Sequence, residues 1–149
     1  MTRIAFAALT LAFLASPAAA EMIDGNRIVV IDGNTVGIPC ASSAPGCSEI
    51  ISFVDIDAPE TFRPNCDEAL RAGFKAKARL ALLLRGKQIW IERTSQKDPY
   101  RRILGVLRIG GPNGVNAGME LVREELALPY KPGAKAKEER RRNWCGGRP

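Results

Sequence analysis

E-I-I-S-F-V-D-I-D-A-P-E-T, at residues 49–61, is the most informative stretch of this sequence. Residues 49–56 are mostly apolar and include several β-branched side chains, a composition typical of a buried β-strand. Pro59 ends the strand, because its nitrogen cannot donate a hydrogen bond to a sheet. Asp57 and Glu60 follow, so the stretch predicts a strand and then a turn that carries two carboxylates. Taken alone, a strand cap and a solvated turn would explain both of them.

Four more segments predict strands. Residues 27–32 (R-I-V-V-I-D) and 35–38 flank the turn signal Asp32-Gly33-Asn34, and together they predict a hairpin. Residues 88–92 alternate apolar and polar side chains, and residues 103–109 form a further apolar-rich segment. With the central stretch, these segments make five strands.

Three helices are predicted at residues 65–85, 115–126 and 134–142. Asn65 with Glu68 three positions later resembles a capping box, which places the start of the first helix at Asn65. The expected apolar face of this helix consists of Leu70, Phe74, Ala78, Ala81 and Leu84. Five short strands with helices on one side predict a protein that is mostly β with α, a five-stranded OB-fold Greek-key barrel with about three helices.

The charge balance and one missing residue type limit the chemistry. Lys and Arg number 22 against 16 Asp and Glu, a net charge of +6 that suits a polyanionic partner. The sequence contains no histidine, which excludes catalytic triads with histidine, His-ligated zinc and any imidazole base. Carboxylates, arginines, backbone groups or a hard metal must therefore carry any reaction.

The N-terminus has the pattern of a secretory signal peptide at residues 1–20. Arg3 precedes an apolar run of about a dozen residues, and the small residues Ala18, Ala19 and Ala20 follow. The run is too short to span a bilayer, and no later segment is apolar enough to do so. We therefore expect one domain at residues 21–149, exported to the periplasm or the medium, with no membrane span after cleavage.

Export makes the four cysteines, Cys40, Cys47, Cys66 and Cys145, candidates for two disulfides. Three pairings are possible. We favour Cys40–Cys47, which closes a short loop, and Cys66–Cys145, which ties the C-terminal tail to the body of the domain. We also expect Trp144 to pack beside the start of the first helix.

Three motifs occur in a recognisable order: V-I-D-G-N-T-V at 30–36, V-D-I-D-A-P-E-T at 54–61 and D-P-Y-R-R-I-L-G at 98–105. In order and spacing they resemble the staphylococcal nuclease (thermonuclease) family of OB-fold phosphodiesterases. The run L-V-R-E-E-L-A-L-P-Y at 121–130 is similar to a late segment of that family. The cysteines and the terminal W-C resemble its exported bacterial branch.

The resemblance implies roles for individual residues. Asp57 would be a metal ligand, with the backbone carbonyl of Ala58 beside it, and Glu60 would orient or deprotonate the attacking water. Arg102 would hold the phosphate and stabilise charge in the transition state, and Tyr100 would line the nucleotide pocket. The implied metal is Ca²⁺, which takes oxygen ligands, and an arginine fork matches two phosphate oxygens.

Two positions depart from the family pattern. Asn34 stands where the family has a second aspartate that binds the metal, so a carbonyl oxygen remains but a negative charge is lost. We therefore expect loose Ca²⁺ binding, with a Kd on the order of 10⁻⁴–10⁻³ M. Ser52 stands where the family has a second phosphate-binding arginine, and losing one such donor typically costs about 10²–10³ in rate. Arg101 or Arg63 are candidates to compensate as substrate-binding cations.

Two functions follow as hypotheses. The first is an exported, Ca²⁺-dependent phosphodiesterase, a monomer that cleaves DNA or RNA with little sequence preference and at reduced rate. The second is a catalytically inactive relative that binds nucleic acid or another partner, which the joint loss at Asn34 and Ser52 favours.

Overall fold

A computed structural model describes residues 20–40 and 46–146. The described strands are β1 (Ala20–Asp24), β2 (Val29–Asp32), β3 (Thr35–Pro39), β4 (Ser48–Phe53), β5 (Ile56–Asp57), β6 (Gln88–Lys97), β7 (Ile103–Ile109), β8 (Val115–Asn116) and β9 (Leu128–Pro129). The described α-helices are α1 (Asp67–Leu84), α2 (Ala117–Arg123) and α3 (Ala134–Cys145), and a short 3₁₀ turn occupies Gly25–Arg27. The predicted signal peptide lies outside the described residues except for Ala20, which is the first residue of β1.

The main sheet has the order β1-β6-β7-β4-β3-β2, with β8 paired to β7. Its neighbours are antiparallel except for β4 and β7, which run parallel. The ladder between the described strands stays open, but β1 and β2, at its two ends, are connected by the three-residue turn Gly25–Arg27. This mixed sheet with three α-helices is OB-like, as predicted.

The structure has more strands than the five expected. Residues 20–24 pair with β6 along their whole length, and this strand was not predicted. Two further two-residue strands, β8 and β9, pair with β7 and β5. The predicted hairpin is present, since Asp32 pairs with Thr35 across the turn at residues 33–34. Strand β6 also continues to Lys97, five residues beyond the predicted end at residue 92.

The core lies between the inner face of the sheet and helices α1 and α2. Its largest fully buried side chains are aliphatic and come from strands and helices alike, among them Ile38, Ile51, Ile89, Ile91, Leu107, Leu80 and Leu121. Burying each of them stabilises the fold by about 1.5–3 kcal/mol. The central stretch at residues 49–61 contributes Ile51, Phe53 and Ile56 to the core, so the predicted burial is confirmed. The chain bends at residues 54–55, however, so β4 and β5 stand where one continuous strand over residues 49–56 was predicted.

Helix α1 begins at a different residue and buries a different face from those predicted. Cys66, not Asn65, is the N-cap: its Sγ accepts a hydrogen bond from the backbone N–H of Ala69 at 3.3 Å. The buried side consists of Ala69, Gly73, Ala76, Leu80 and Leu84, whereas the predicted core residue Phe74 is 54% exposed.

Small residues on α1 explain this orientation. A Cβ added to Gly73 would lie 2.7 Å from the carbonyl oxygen of Pro59. A Cβ added to Gly33 would lie 2.7 Å from the Cβ atoms of both Ala58 and Ala76. The helix therefore packs directly against the backbone of residues 58–60, which a face containing Phe74 could not do.

Both expected disulfides are present, Cys40–Cys47 and Cys66–Cys145. The second bond fixes the C-terminal end of α3 to the N-terminal end of α1. Trp144 lines a pocket with α1 residues, as expected, and its carbonyl lies 3.8 Å from the Sγ of Cys66. Cys145 itself is half-buried, less than we expected.

None of the described helices combines the length and the apolar character needed to cross a membrane.

The two disulfides should differ in their effect on stability. The Cys66–Cys145 bond closes a loop with a sequence separation of 79, against 7 for Cys40–Cys47. By loop entropy, C66S/C145S should lower the free energy of unfolding by about 4–5 kcal/mol, and the matched control C40S/C47S by about 2–3 kcal/mol. Urea denaturation of both variants measures this difference. If C40S/C47S lowered the free energy of unfolding as much as C66S/C145S, or more, this expectation would be wrong.

Candidate functional site

A pocket of about 400 Å³ opens where β4, β5 and the turn between β2 and β3 meet the loop at residues 98–102. Its lining includes six of the residues singled out from the sequence: Asn34, Ser52, Asp57, Glu60, Tyr100 and Arg102. The sequence reasoning therefore selected residues that converge on one opening, although Asn34 and Arg102 lie 68 positions apart in the chain.

A second, larger groove of about 630 Å³ lies between α1 and residues 25–30. Its charged lining residues are Lys77 and Arg85, and no carboxylate lines it. Because Asp57, Glu60 and Arg102, the residues to which the sequence assigned the chemistry, all line the smaller pocket, that pocket is the candidate site.

Asp57 lies in β5 and is held by pairing with Leu128 of β9. Its carboxylate is only 19% exposed and forms an ion pair with Arg140 of α3, with 2.5 Å between Oδ2 and Nε. The partner, Arg140, was not predicted. It belongs to the E-E-R-R-R run at residues 138–142, within the third predicted helix.

The environment shifts the pKa values of both carboxylates upward. Burial raises the pKa of Asp57, Arg140 partly offsets this, and the negative charge of Asp32 adds to the rise. Partial burial also raises the pKa of Glu60, with further contributions from Asp32 and Asp57 and an opposing one from Arg102. Glu60 is thus a stronger base than an ordinary glutamate, and its side chain is exposed at the mouth of the pocket.

The loop at residues 98–102 positions Arg102. Asp98 accepts hydrogen bonds from the backbone N–H groups of Tyr100 (2.9 Å) and Arg102 (2.8 Å), and from Nε of Arg102 at 2.6 Å. The Nη1 atom of Arg102 donates to the hydroxyl of Thr35 at 3.2 Å. The guanidinium is therefore fixed at two of its nitrogens, which orients the third.

Asn34 and Ser52 lie at the site as neutral residues. The backbone N–H of Asn34 donates to Asp32 (3.0 Å), and its side-chain oxygen accepts from the hydroxyl of Thr35 (3.3 Å). Ser52 is 5% exposed, pairs with Thr35 in the sheet and lines the pocket. Asp55, by contrast, binds Nδ2 of Asn116 at 2.6 Å and serves to anchor α2.

Two tyrosines flank the opening. Tyr100 is 81% exposed, and the guanidinium of Arg102 lies 5.5 Å from the centre of its ring. Tyr130 is 50% exposed and also lines the pocket. The motif at residues 121–130 ends at Tyr130, but the sequence did not predict this position in the pocket. Arg101 is exposed and has a φ of 64°, and it does not line the pocket.

The oxygen donors do not form a ready Ca²⁺ site. Calcium takes about six to eight oxygen ligands, with carboxylates prominent among them. Here Asp57 is paired with Arg140, Asn34 is neutral, and Ala58 does not line the pocket. Within residues 20–40 and 46–146, no group of three or more Asp, Glu or Cys side chains is placed to hold a metal ion. A resident calcium ion does not fit this arrangement.

An OB-like fold with two carboxylates and a fixed arginine around one pocket defines a nuclease-like class of protein. Residues 50–144, well over half of the chain, match the family described as staphylococcal nuclease homologue, and the chain belongs to that family. The family acts on nucleic acids. No curated protein matches the chain.

The two neighbouring arginines should contribute unequally to nucleic-acid binding. R102Q removes a guanidinium oriented toward the pocket and should weaken binding of a labelled single-stranded DNA at least tenfold, about 1.4 kcal/mol. R101Q removes an equal charge outside the pocket lining and should weaken binding less than threefold. Fluorescence anisotropy measures both, with thermal melts to verify folding. Equal losses would show that only net charge matters here.

Proposed function

We propose that this chain is an exported phosphodiesterase that cleaves DNA or RNA with little sequence preference and at reduced rate. The observation that carries the proposal is the convergence of Glu60, Asp57 and Arg102 on one pocket. A base and a phosphate-binding cation on the two sides of one opening suit hydrolysis of a phosphodiester.

In this proposal Glu60 is the general base and Arg102 the phosphate-binding group. Glu60 accepts a proton from water as the water oxygen forms a bond to phosphorus, one P–O ester bond breaks, and the leaving oxygen takes a proton from solvent water. Its raised pKa favours this role, since a base is most effective when its pKa approaches the working pH. Arg102, held by Asp98 and Thr35, stabilises the negative charge that develops on the phosphoryl oxygens.

The exposed rings of Tyr100 and Tyr130 suit stacking of nucleobases on either side of the opening. Stacking tolerates every base, because every base has an aromatic face, so we expect little sequence preference. A flexible or single-stranded substrate suits the site best, because its bases can unstack and reach the tyrosines.

Export and a monomeric state complete the proposal. Two disulfides agree with an oxidising compartment, either the periplasm or the medium. Because the donor set does not fit a resident Ca²⁺, no step of the reaction is assigned to that ion.

A second function, binding without hydrolysis, is supported by three observations. Asn34 and Ser52 are neutral where the family pattern has charged groups, and Asp57 is already paired with Arg140. Each of these would lower the rate of hydrolysis while leaving Arg102 and the two tyrosines able to bind a strand.

The variant E60Q separates the two functions. It keeps the shape of the side chain but removes the base, so cleavage of single-stranded DNA should fall at least a hundredfold while anisotropy still reports binding. Gel assays of the purified protein with and without CaCl₂ measure cleavage, and E139Q, on the exposed face of α3, is the matched control. A wild-type protein that binds DNA and never cleaves it would support the second function and refute the first.

Restoring the two missing charges should increase the rate. Asn34→Asp adds the carboxylate oxygen that a Ca²⁺ site here lacks, and Ser52→Arg adds a phosphate-binding cation at a position that already lines the pocket, so the assay is run with CaCl₂. We expect the double variant to cleave DNA at least tenfold faster than wild type, a barrier lower by about 1.4 kcal/mol, and E60Q to abolish the gain.

Because Ser52 is buried, an arginine there could remain unpaired and destabilise the fold, so thermal melts accompany this assay. If the double variant folds and cleaves DNA no faster than wild type, the hypothesis that the missing charges at residues 34 and 52 are what limits the rate is wrong.

A further inference from the structure

Arg140 is the least expected charged group near the pocket. It lies in the second half of α3, yet its side chain is only 15% exposed, unlike that of its neighbour Arg141, which is 53% exposed and pairs with Glu138 on the same helix. Arg140 instead reaches away from its own helix to Asp57.

Three contacts hold the guanidinium in this place. Nε pairs with Oδ2 of Asp57 at 2.5 Å, and Nη1 donates to the backbone carbonyl of Lys131 at 2.8 Å. The guanidinium carbon also lies 5.9 Å from the centre of the Tyr130 ring. A charge held by a carboxylate, a carbonyl and an aromatic face is well ordered and largely removed from water.

The covalent structure keeps α3 in position. Cys145 ends the helix and is bonded to Cys66, the N-cap of α1. Helix α1 in turn packs against the backbone of Pro59 and Glu60 through Gly73. The position of Arg140 relative to Asp57 is therefore fixed by the disulfide between α3 and α1 and by the packing of α1.

A cation bound to Asp57 must compete with Arg140. The guanidinium already neutralises the carboxylate at ion-pair distance through Oδ2, so a divalent ion would meet a carboxylate whose charge is paired, and an ion bound to both of its oxygens would have to displace Arg140. Displacement would leave Arg140 poorly exposed and without its carboxylate, which is costly for a charge removed from water.

We propose that Arg140 is a built-in counter-cation of Asp57, which takes the place of a metal ion at this carboxylate and excludes divalent cations from it. The proposal rests on the proposed function only in treating Asp57 as part of the substrate pocket. It states that the phosphate-binding site of this chain is assembled without a divalent ion.

The proposal changes the expected calcium affinity. The sequence-based Kd on the order of 10⁻⁴–10⁻³ M counted Asp57 as a free ligand. With Arg140 in place, wild type should bind Ca²⁺ more weakly than about 10⁻² M, and R140Q should recover a Kd of about 10⁻³ M, a gain of at least tenfold.

Calorimetric titration with CaCl₂ of wild type, R140Q and R141Q tests this. R141Q is the matched control, because it removes an equal charge from the same helix at an exposed position. We expect tighter binding in R140Q alone. Equal affinity in wild type and R140Q, an equal gain in R141Q, or no measurable binding in any of the three would overturn the proposal.

If R140Q does not fold, R140K replaces it. Lysine keeps the charge, but its single nitrogen lacks the guanidinium geometry that bonds Asp57 and the Lys131 carbonyl together, so Ca²⁺ affinity should rise at least threefold. An unchanged affinity would overturn the proposal, as would a wild-type Tm that rises on adding CaCl₂ to about 10 mM. These measurements need no cleavage, so a failed nuclease assay and a failed role for Arg140 remain distinct results.

Discussion

The close packing of α1 against the backbone of residues 58–60 is the constraint on which the site depends. Gly33, Ala58 and Ala76 meet where no larger side chain fits, and Gly73 lies against the carbonyl of Pro59. Asp57 and Glu60 flank this contact. The two carboxylates are thus positioned by a helix that contributes no side chain to the pocket, and the geometry of the site is set by small residues whose role is steric.

The electrostatics of the site depend on a second constraint, the Cys66–Cys145 disulfide. The Cys66–Cys145 bond joins the start of α1 to the end of α3, so the helix that positions the carboxylates also carries the helix that neutralises one of them. Arg102 is held by Asp98 of its own loop and by the hydroxyl of Thr35. The two arginines are therefore held by different means, Arg102 by side-chain hydrogen bonds and Arg140 on a helix that a long-range disulfide fixes.

The parts of the structure that the sequence predicted are those with local signals. The hairpin at residues 32–35, the strand at 49–56 and both disulfides follow from turn residues, apolar runs and the number of cysteines. The pocket residues were found through motifs that resemble a family. The buried face of α1 was predicted wrongly, because spacing favours large apolar residues such as Phe74, whereas tertiary packing selected Gly73 and Ala76.

Arg140 could not be predicted for a related reason. A run of charged residues on a short helix gives no sign of which side chain turns inward, and only the position of α3, fixed by Cys145, brings residue 140 to residue 57. The consequence is a site in which Asn34 and Ser52 are neutral and Asp57 is paired with an arginine from a distant helix. Arg140 binds Asp57 but does not line the pocket, so it neutralises the carboxylate without adding a cation at the opening. Arg102 is therefore the arginine that remains at the opening to contact a phosphate.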